Sequence, residues 1–124
     1  MPLPLLSIVP PAFNEDEVLP KFHAAVSAFL DSLADRYRGE IVVVDDGSRD
    51  RTGEVLSELA ARDARFRYVR LSRNFGQQAA LTAGFEHARG DVVGSLDCDL
   101  QHPPEVVREM LAAYENGSEV VLGV

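Results

Sequence analysis

Apolar positions follow two alternating patterns along this chain. Short runs of consecutive or alternating apolar residues predict five strands, at residues 5–9, 41–44, 66–71, 91–96 and from 120 onward. Between them, apolar residues recur every three or four positions, which predicts helices near residues 18–33, 52–60, 77–88 and 106–114. Because strands and helices alternate, the pattern predicts an α/β fold with a mostly parallel sheet, right-handed crossovers and helices on both faces.

Polar and proline residues indicate where these elements begin and end. The double proline at 10–11 predicts the end of the first strand. Asn14 is a preferred N-cap residue, and the acids at 15–17 suit the positive end of a helix dipole, so we expect the first helix to start there. Asp50 or Thr52 is expected to cap the second helix for the same reason.

Size and composition describe one globular domain. The 124 residues, 46% hydrophobic and 26% charged, suit a single domain over residues 1–124 with a modest core. The net charge of −8 argues against nucleic acid as a partner, since phosphate backbones attract basic surfaces. No stretch approaches the roughly 20 apolar residues that cross a bilayer, and the start of the chain is a poor signal peptide. We therefore expect a soluble, cytoplasmic chain as given.

Cys98 is the single cysteine of the chain. It excludes an intrachain disulfide and is compatible with a reducing compartment. A small side chain that points away from its carboxylate neighbours explains it better than a catalytic thiol, because no histidine or second cysteine is placed to activate it.

Candidate chemistry collects where the predicted strands end. In parallel sheets these carboxyl ends share one edge, and ligands bind there. The candidates at the four strand ends are Pro10, Ala12, Phe13, Asn14 and Glu15, then Asp45, Asp46, Gly47 and Ser48, then Arg73 and Asn74, and last Asp97, Asp99 and Gln101. Four polar clusters at one edge exceed what folding alone requires.

The end of the fourth strand carries the most informative of these clusters. Alternate side chains of an extended chain point the same way, so Asp97, Asp99 and Gln101 can converge from one side. Such an all-oxygen cluster suits Mg²⁺ or Mn²⁺, with phosphate oxygens completing the shell. The two prolines at 103–104 then suit a helix start.

The other clusters each have a structural and a functional interpretation. Asp45 and Asp46 either form a turn that bonds to its own backbone, or one carboxylate accepts hydrogen bonds from a base N–H or a ribose hydroxyl. Arg73 either is a solvated loop residue or faces a diphosphate, which guanidinium pairs well with. Phosphate-loop, dinucleotide-fingerprint and nucleophile-elbow motifs are all missing from the sequence.

Four segments together resemble a known family. They are SIVPPAFNE (7–15), IVVVDDGS (41–48), LSRNFG (71–76) and DCDLQHPPE (97–105). In this order they resemble family 2 glycosyltransferases with the GT-A fold, and most closely the polyprenyl-phosphate sugar transferases, which include dolichyl-phosphate mannose synthases and bacterial undecaprenyl-phosphate glucosyltransferases. Members of that family are longer, so the resemblance implies the N-terminal, donor-binding part alone.

The resemblance implies a role for each matching residue. Asp45 and Asp46 fall in the nucleotide-binding motif, with Asp45 against the base. Asp97 and Asp99 would act in catalysis and hold the metal and the sugar diphosphate, with Gln101 as a further metal ligand. Arg73 would lie near the donor phosphates. The residues that would line the nucleotide pocket are Pro10, Ala12, Phe13 and Glu15.

Two residues depart from the family pattern. Phe13 stands where the family usually has tyrosine, which keeps stacking and loses a hydroxyl contact. Pro11 makes an unusual double proline, which stiffens the loop and removes one N–H.

The implied reaction is metal-dependent and inverting. It moves a sugar from a UDP- or GDP-sugar to a polyprenyl phosphate at the inner face of the membrane, which the parent protein would reach through segments absent here. Two other hypotheses stay open, a non-catalytic nucleotide-sugar or metal-binding fragment without the acceptor half, and an interaction domain whose acids only confer solubility. An incomplete edge at the fifth strand would favour a homo-oligomer.

Overall fold

The structure is a computed structural model that describes residues 3–98, 105–115 and 122–123. The strands are β1 (Leu5–Ile8), β2 (Pro11–Ala12), β3 (Arg38–Asp45), β4 (Phe66–Arg70), β5 (Val92–Ser95) and β6 (Leu122–Gly123). The helices are α1 (Leu19–Ser32), α2 (Thr52–Arg62), α3 (Gln77–His87) and α4 (Glu105–Glu115). The predicted pattern of alternating strands and helices is therefore confirmed, with element ends shifted by a few residues.

The strands form one parallel sheet in the order β4–β3–β1–β5–β6. The chain builds outward from β1 through β3 to β4, then crosses back to β5 on the other side of β1. This reversal leaves a crevice between the carboxyl ends of β1 and β5, which is where open parallel sheets bind ligands. Within the described residues, β4 pairs with β3 alone and so lies at an edge, as its alternating sequence predicts.

The first strand ends at Ile8, just before the double proline, as predicted, but strand pairing resumes at Pro11 in β2, which was not predicted. Leu5 pairs with Arg38 in β1, and Ala12 pairs with Asp45 in β2, so the register against β3 is unchanged across the gap. The carbonyl of Pro10 accepts a hydrogen bond from the Val44 N–H at 3.0 Å. A proline is tolerated here because the strand is tied at this point through its carbonyls, which prolines retain.

Helices cover both faces of the sheet, as predicted. One face packs against α1, α2 and α4 in a core whose largest buried members include Phe22, Leu56 and Leu111. The other face packs against α3 in a smaller cluster, where Val9, Val42, Val44 and Ala80 are buried. The uninterrupted apolar run of β3 reflects this burial on both sides.

Helix α3 lies unusually close to the sheet because its contact face is made of small residues. A Cβ atom added at Gly84 would lie 2.2 Å from Cγ1 of Val9 and 2.9 Å from Cγ2 of Val44. Gly84 and Ala80 are one helical turn apart and both are buried. The close approach brings the first turn of α3 to the carboxyl edge of the sheet.

The first helix does not start where the sequence indicates. The N-cap position of α1 is Val18, without a side-chain cap, and its first turn carries no acid. Asn14 instead adopts a left-handed conformation with φ of 54°. The prediction for the second helix is confirmed in part, since Oδ1 of Asp50 accepts the Thr52 N–H at 2.9 Å although Arg51 occupies the N-cap position.

A buried carboxylate fastens the opposite, amino-terminal edge of the sheet. Glu40 is buried, and its Oε2 accepts hydrogen bonds from the Ser7 hydroxyl at 2.5 Å and the Arg89 N–H at 2.8 Å. Its Oε1 accepts a hydrogen bond from Nη2 of the Arg67 guanidinium at 2.8 Å. Burial by itself raises the pKa of the Glu40 carboxyl, but the bonds from Ser7, Arg89 and Arg67 outweigh it and hold that pKa below its usual value.

Several predictions fall outside the described residues. They are the prolines at 103–104, the helix end at 116–117 and the start of the fifth strand at 120–121. Among the residues that the structure describes, no helix has the length and apolar character to cross a membrane.

Adding a methyl group at Gly84 should destabilise the fold. We expect Gly84→Ala to lower the free energy of unfolding by about 1–3 kcal/mol, because the new methyl overlaps Val9 although alanine favours a helix. Urea denaturation measures the change. The Val9→Ala/Gly84→Ala double variant should lose less than the sum of the two single variants, and simple additivity would contradict the close packing.

Glu40 should make the fold acid-sensitive. A carboxyl whose pKa is lowered by folding stabilises the folded state above its unfolded pKa, and this contribution is lost as the pH falls through the folded value. The free energy of unfolding should therefore fall as the pH drops from about 6 to about 3. Asp50 and Asp63 should contribute to the same fall, because their pKa values are also lowered. Glu40→Gln should be less stable at neutral pH and show a shallower fall, and parallel curves would contradict this assignment.

Candidate functional site

Two adjoining cavities open at the carboxyl edge of the sheet. The first, here called the acidic cavity, has a volume of about 410 Å³ and is lined by Glu15, Asp46 and Asp97 among others. The second, here called the basic cavity, has a volume of about 770 Å³ and is lined by Arg49, Arg70 and Arg73 among others. Both are lined by Phe13 and Asn74, which form the wall between them.

The acidic cavity lies at the reversal of strand order between β1 and β5. Six residues singled out from the sequence line it, namely Ala12, Phe13, Glu15, Asp46, Asn74 and Asp97. Their backbones come from β2 and the segment after it, the end of β3, the loop after β4 and the end of β5, so four segments distant in sequence meet here. Its position and its carboxylates make the acidic cavity the candidate functional site.

The remaining predicted residues lie elsewhere. Pro10 is buried beside β3 and does not line the acidic cavity, and Arg73 lines the basic cavity. Asp99 and Gln101 lie outside the described residues. The predicted convergence of Asp97 with those two side chains is therefore untested.

Hydrogen bonds between two loops fix the first wall of the site. The Asn14 N–H donates to Oγ of Ser48 at 2.8 Å, and the Arg49 N–H donates back to Oδ1 of Asn14 at 3.0 Å. The Glu15 N–H donates to Oγ1 of Thr52 at 2.9 Å. These bonds hold the loop after β2 against the loop after β3. The left-handed backbone of Asn14 turns the chain so that the bonds can form.

Asp46 connects the same wall to a third loop. Its N–H donates to the Ala12 carbonyl at 2.8 Å, while Oδ1 accepts the Phe75 N–H at 2.8 Å and Oδ2 the Gly76 N–H at 3.1 Å. Gly47 permits the close approach of this loop, since its φ is 74° and an added Cβ would lie 2.3 Å from the carbonyl carbon of Arg73. Asp46 thus bonds the backbone of another loop and also lines the acidic cavity, while its contact with a nucleotide stays a prediction.

Asp45 occupies a different environment from its neighbour. It is fully buried, and its Oδ1 accepts the Ser48 N–H at 2.9 Å. Its Oδ2 lies 3.3 Å from Nε of Arg70, close enough for an ion pair but without the geometry of a hydrogen bond. Arg70 lies across the first turn of α2, where a Cβ on Gly53 would meet its guanidinium at 2.6 Å. Asp45 is therefore covered by Arg70 and does not line the acidic cavity.

The end of β5 contributes Asp97 and Cys98. Asp97 is half-buried and Cys98 is buried. The Cys98 S–H donates a hydrogen bond to the Pro11 carbonyl, with Sγ 3.5 Å from the oxygen. Cys98 lines the acidic cavity and also belongs to the buried core. The prediction that its side chain points away from its carboxylate neighbours stays a prediction, because Asp99 lies outside the described residues. Within residues 3–98, 105–115 and 122–123, no three His, Cys, Asp or Glu side chains converge tightly enough to hold a metal ion by themselves.

Three site residues were not singled out as site candidates from the sequence. Gly76 and Gln77 line the acidic cavity because α3 begins there, and Arg70 reaches the basic cavity from the last position of β4. Gly76 and Gln77 could have been found from the rule that the helix after a strand begins at the carboxyl edge of the sheet. Arg70 could not have been found, because its position depends on how β4 lies beside β3.

Comparison with known sequences gives a consistent family. Residues 7–124 match the family described as glycosyl transferase family 2. The chain is 47% identical over 121 residues to the undecaprenyl-phosphate 4-deoxy-4-formamido-L-arabinose transferase of Pseudomonas savastanoi pv. phaseolicola, covering 97% of this chain and 35% of that protein. It is 40% identical over 118 residues to the uncharacterized glycosyltransferase YkcC of Bacillus subtilis, covering 95% and 36%.

Solved structures show the same fold at lower identity. A mannosyltransferase from Pyrobaculum calidifontis, in complex with GDP-Man and Mn²⁺, superposes with a TM-score of 0.66 at 24% identity, covering 80% of this chain and 28% of that one. TarS of S. aureus, in complex with UDP-GlcNAc, superposes with a TM-score of 0.70 at 21% identity, covering 90% and 31%. The chain thus spans about a third of the length of the relatives it matches.

Substitution of Asn14 should separate backbone conformation from hydrogen bonding. Asn14→Asp keeps an acceptor for the Arg49 N–H and tolerates the left-handed backbone, so its stability should stay near that of the unsubstituted chain. Asn14→Ala loses both the acceptor and the tolerance of a left-handed backbone, so its free energy of unfolding should fall by about 1–3 kcal/mol. Asn14→Gly keeps the conformation alone and should fall between them. Thermal unfolding ranks the three variants, and equal stability of the Asp and Ala variants would contradict this account.

Proposed function

This chain belongs to glycosyl transferase family 2, and from that membership we propose that it forms the donor-binding part of a polyprenyl-phosphate sugar transferase. The acidic cavity would take the nucleotide sugar, with UDP or GDP as the nucleoside diphosphate. The observation that carries the proposal is the meeting of Phe13, Asp46 and Asp97 around one cavity at the reversal of strand order. Two proteins with the same fold were solved in complex with GDP-Man and with UDP-GlcNAc, which supports this choice of ligand.

Each part of the acidic cavity suits one part of such a donor. Phe13 is 43% exposed, so its ring offers a face on which a base can stack. Asp46 uses one lone pair on each carboxylate oxygen for the Phe75 and Gly76 amides, and a carboxylate has further acceptor positions for a base N–H or a ribose hydroxyl. Asp45 could contact the base, as the resemblance implies, only after Arg70 moves off it.

A divalent cation suits the other end of the cavity. We assign Mg²⁺ or Mn²⁺ to Asp97 and Asp99, with Gln101 as a further oxygen ligand. Glu15, Asp46 and Asp97 give this cavity three carboxylates and, among the described residues, no basic side chain, so its charge favours a cation. When bound, the ion would neutralise charge on the leaving nucleoside diphosphate. The Mn²⁺ in the mannosyltransferase complex is consistent with this assignment.

The acceptor is proposed from the named relatives. The Pseudomonas protein is named for transfer to undecaprenyl phosphate, and we extend a polyprenyl phosphate acceptor and a membrane-face reaction to this protein. The sugar would be transferred with inversion at the anomeric carbon. A phosphate acceptor is already largely anionic at neutral pH, so a strong general base is less necessary than for a hydroxyl acceptor.

A second candidate function is nucleotide-sugar binding without turnover. It is favoured by the finding that the chain spans only 35% of the length of the Pseudomonas transferase, so most of that protein lies outside the match. A binding assay beside a turnover assay on the same preparation distinguishes the two functions.

Ligand-induced stabilisation tests the donor site. UDP or GDP with Mn²⁺ should raise the melting temperature of the chain, because a ligand that binds only the folded state stabilises it. Asp97→Asn and Asp99→Asn should each abolish the rise. Asp91→Asn is a matched control at the other end of β5, where the new side chain can still accept the Leu5 N–H. No rise with any nucleotide, or an equal loss in Asp91→Asn, would contradict the assignment.

A further inference from the structure

The geometry points to a second ligand site, in which the basic cavity binds a phosphate group. Arg49, Arg70 and Arg73 reach this cavity from three positions, the loop after β3, the end of β4 and the loop after β4. None of the described residues that line it is acidic. Acids outnumber bases in the whole chain by 20 to 12, so three arginines around one cavity without an acid are a marked local excess of positive charge.

Two of the three arginines carry uncompensated charge. Arg70 is partly neutralised by Asp45, whose Oδ2 lies 3.3 Å from its Nε. Within the described part of the chain, neither Arg49 nor Arg73 forms an ion pair, and both side chains are exposed. The positive charge of the basic cavity therefore comes mainly from Arg49 and Arg73, and an anion could pair with both without displacing a carboxylate.

The backbone around these arginines is held in place before any ligand binds. The guanidinium carbon of Arg73 lies 4.6 Å from the centre of the Phe75 ring, which restricts the side chain by cation–π stacking. The Phe75 N–H is fixed by Asp46, and the Arg49 N–H is fixed by Asn14. Less conformational freedom is then lost on binding, which favours affinity.

A phosphate group suits this arrangement better than other anions. Guanidinium groups donate paired N–H bonds that match phosphate oxygens, and a doubly charged phosphate gains from two arginines at once. The hydroxyl oxygen of Ser48 accepts the Asn14 N–H, which leaves its proton free to donate into the cavity it lines. The volume of about 770 Å³ is larger than a phosphate ion needs, so the group would be carried on a larger molecule, either soluble or a lipid headgroup.

This site is separate from the proposed donor site. Phe13 and Asn74 stand between the two cavities, and the acidic cavity favours a cation where the basic cavity favours an anion. Phosphate binding here should therefore need no divalent ion, whereas donor binding should need one. Failure of either site in an experiment can be told apart from failure of the other.

Inorganic phosphate in the presence of a metal chelator is the first probe. Backbone amide NMR signals of Gly47, Arg49 and Asn74 should shift saturably with phosphate. Arg49→Gln should weaken the affinity about tenfold, since it removes a charge-assisted bond. Arg62→Gln is the matched control, because Arg62 is exposed in the last turn of α2 and is not among the residues that line the cavity, and it should leave the affinity unchanged. The response to nucleotide with Mn²⁺ should persist in Arg49→Gln.

Vesicles distinguish the two sources of the phosphate group. Phosphatidylcholine vesicles with and without phosphatidic acid are sedimented with the parent chain and both variants. Binding that requires phosphatidic acid and weakens in Arg49→Gln but not in Arg62→Gln supports the site and identifies a lipid headgroup. Saturable binding of inorganic phosphate without vesicle binding supports the site and identifies a soluble ligand. Absence of both, or equal weakening in the two variants, overturns the proposal.

Discussion

The carboxylate of Asp46 is the contact on which the rest of the site depends. Its backbone N–H is bonded to Ala12, and its two oxygens are bonded to the amides of Phe75 and Gly76, so one nearly buried residue ties together the ends of three strands. A carboxylate that accepts backbone N–H groups is among the stronger hydrogen-bonding arrangements in proteins. Together with the bonds of Asn14 and Glu15, it sets the mutual position of the loops after β2, β3 and β4. The basic cavity lies between those loops, and the acidic cavity lies between them and the end of β5.

The two edges of the sheet divide stability and function between them. At the amino-terminal edge, Glu40 is saturated by Ser7, Arg67 and Arg89, so its charge is fully used in holding strands and a loop together. At the carboxyl edge, charged groups face cavities instead. A charged group without a partner lowers the stability of a folded protein, so its presence in a cavity indicates a functional role. The difference between the two edges supports a functional role for the carboxyl edge. A count of the charged residues alone would not distinguish the edges.

The sequence predicted the fold well because periodicity is a local property. It missed the pairing that resumes at Pro11 and was wrong at Asn14, because local preferences allow two outcomes at both positions. Proline usually ends a strand, but here the neighbouring carbonyls carry the pairing. Asparagine favours both helix caps and left-handed turns, and Ser48 and Arg49, which are distant in sequence, decide between them. At the site, Asp46 and Asp97 could be predicted from strand ends, whereas Arg70 depends on packing between strands.

The adjacent aspartates show why such a site needs a structure as well as a motif. Consecutive residues at a strand end point in opposite directions, so Asp45 and Asp46 cannot face the same space. Asp46 faces the acidic cavity, and Asp45 is enclosed beneath Arg70, a residue of the basic cavity. Each cavity is thereby linked to one member of the pair. Because Asp45 partly neutralises Arg70, a movement of that arginine would change the charge of the basic cavity and at the same time uncover a buried carboxylate beside it.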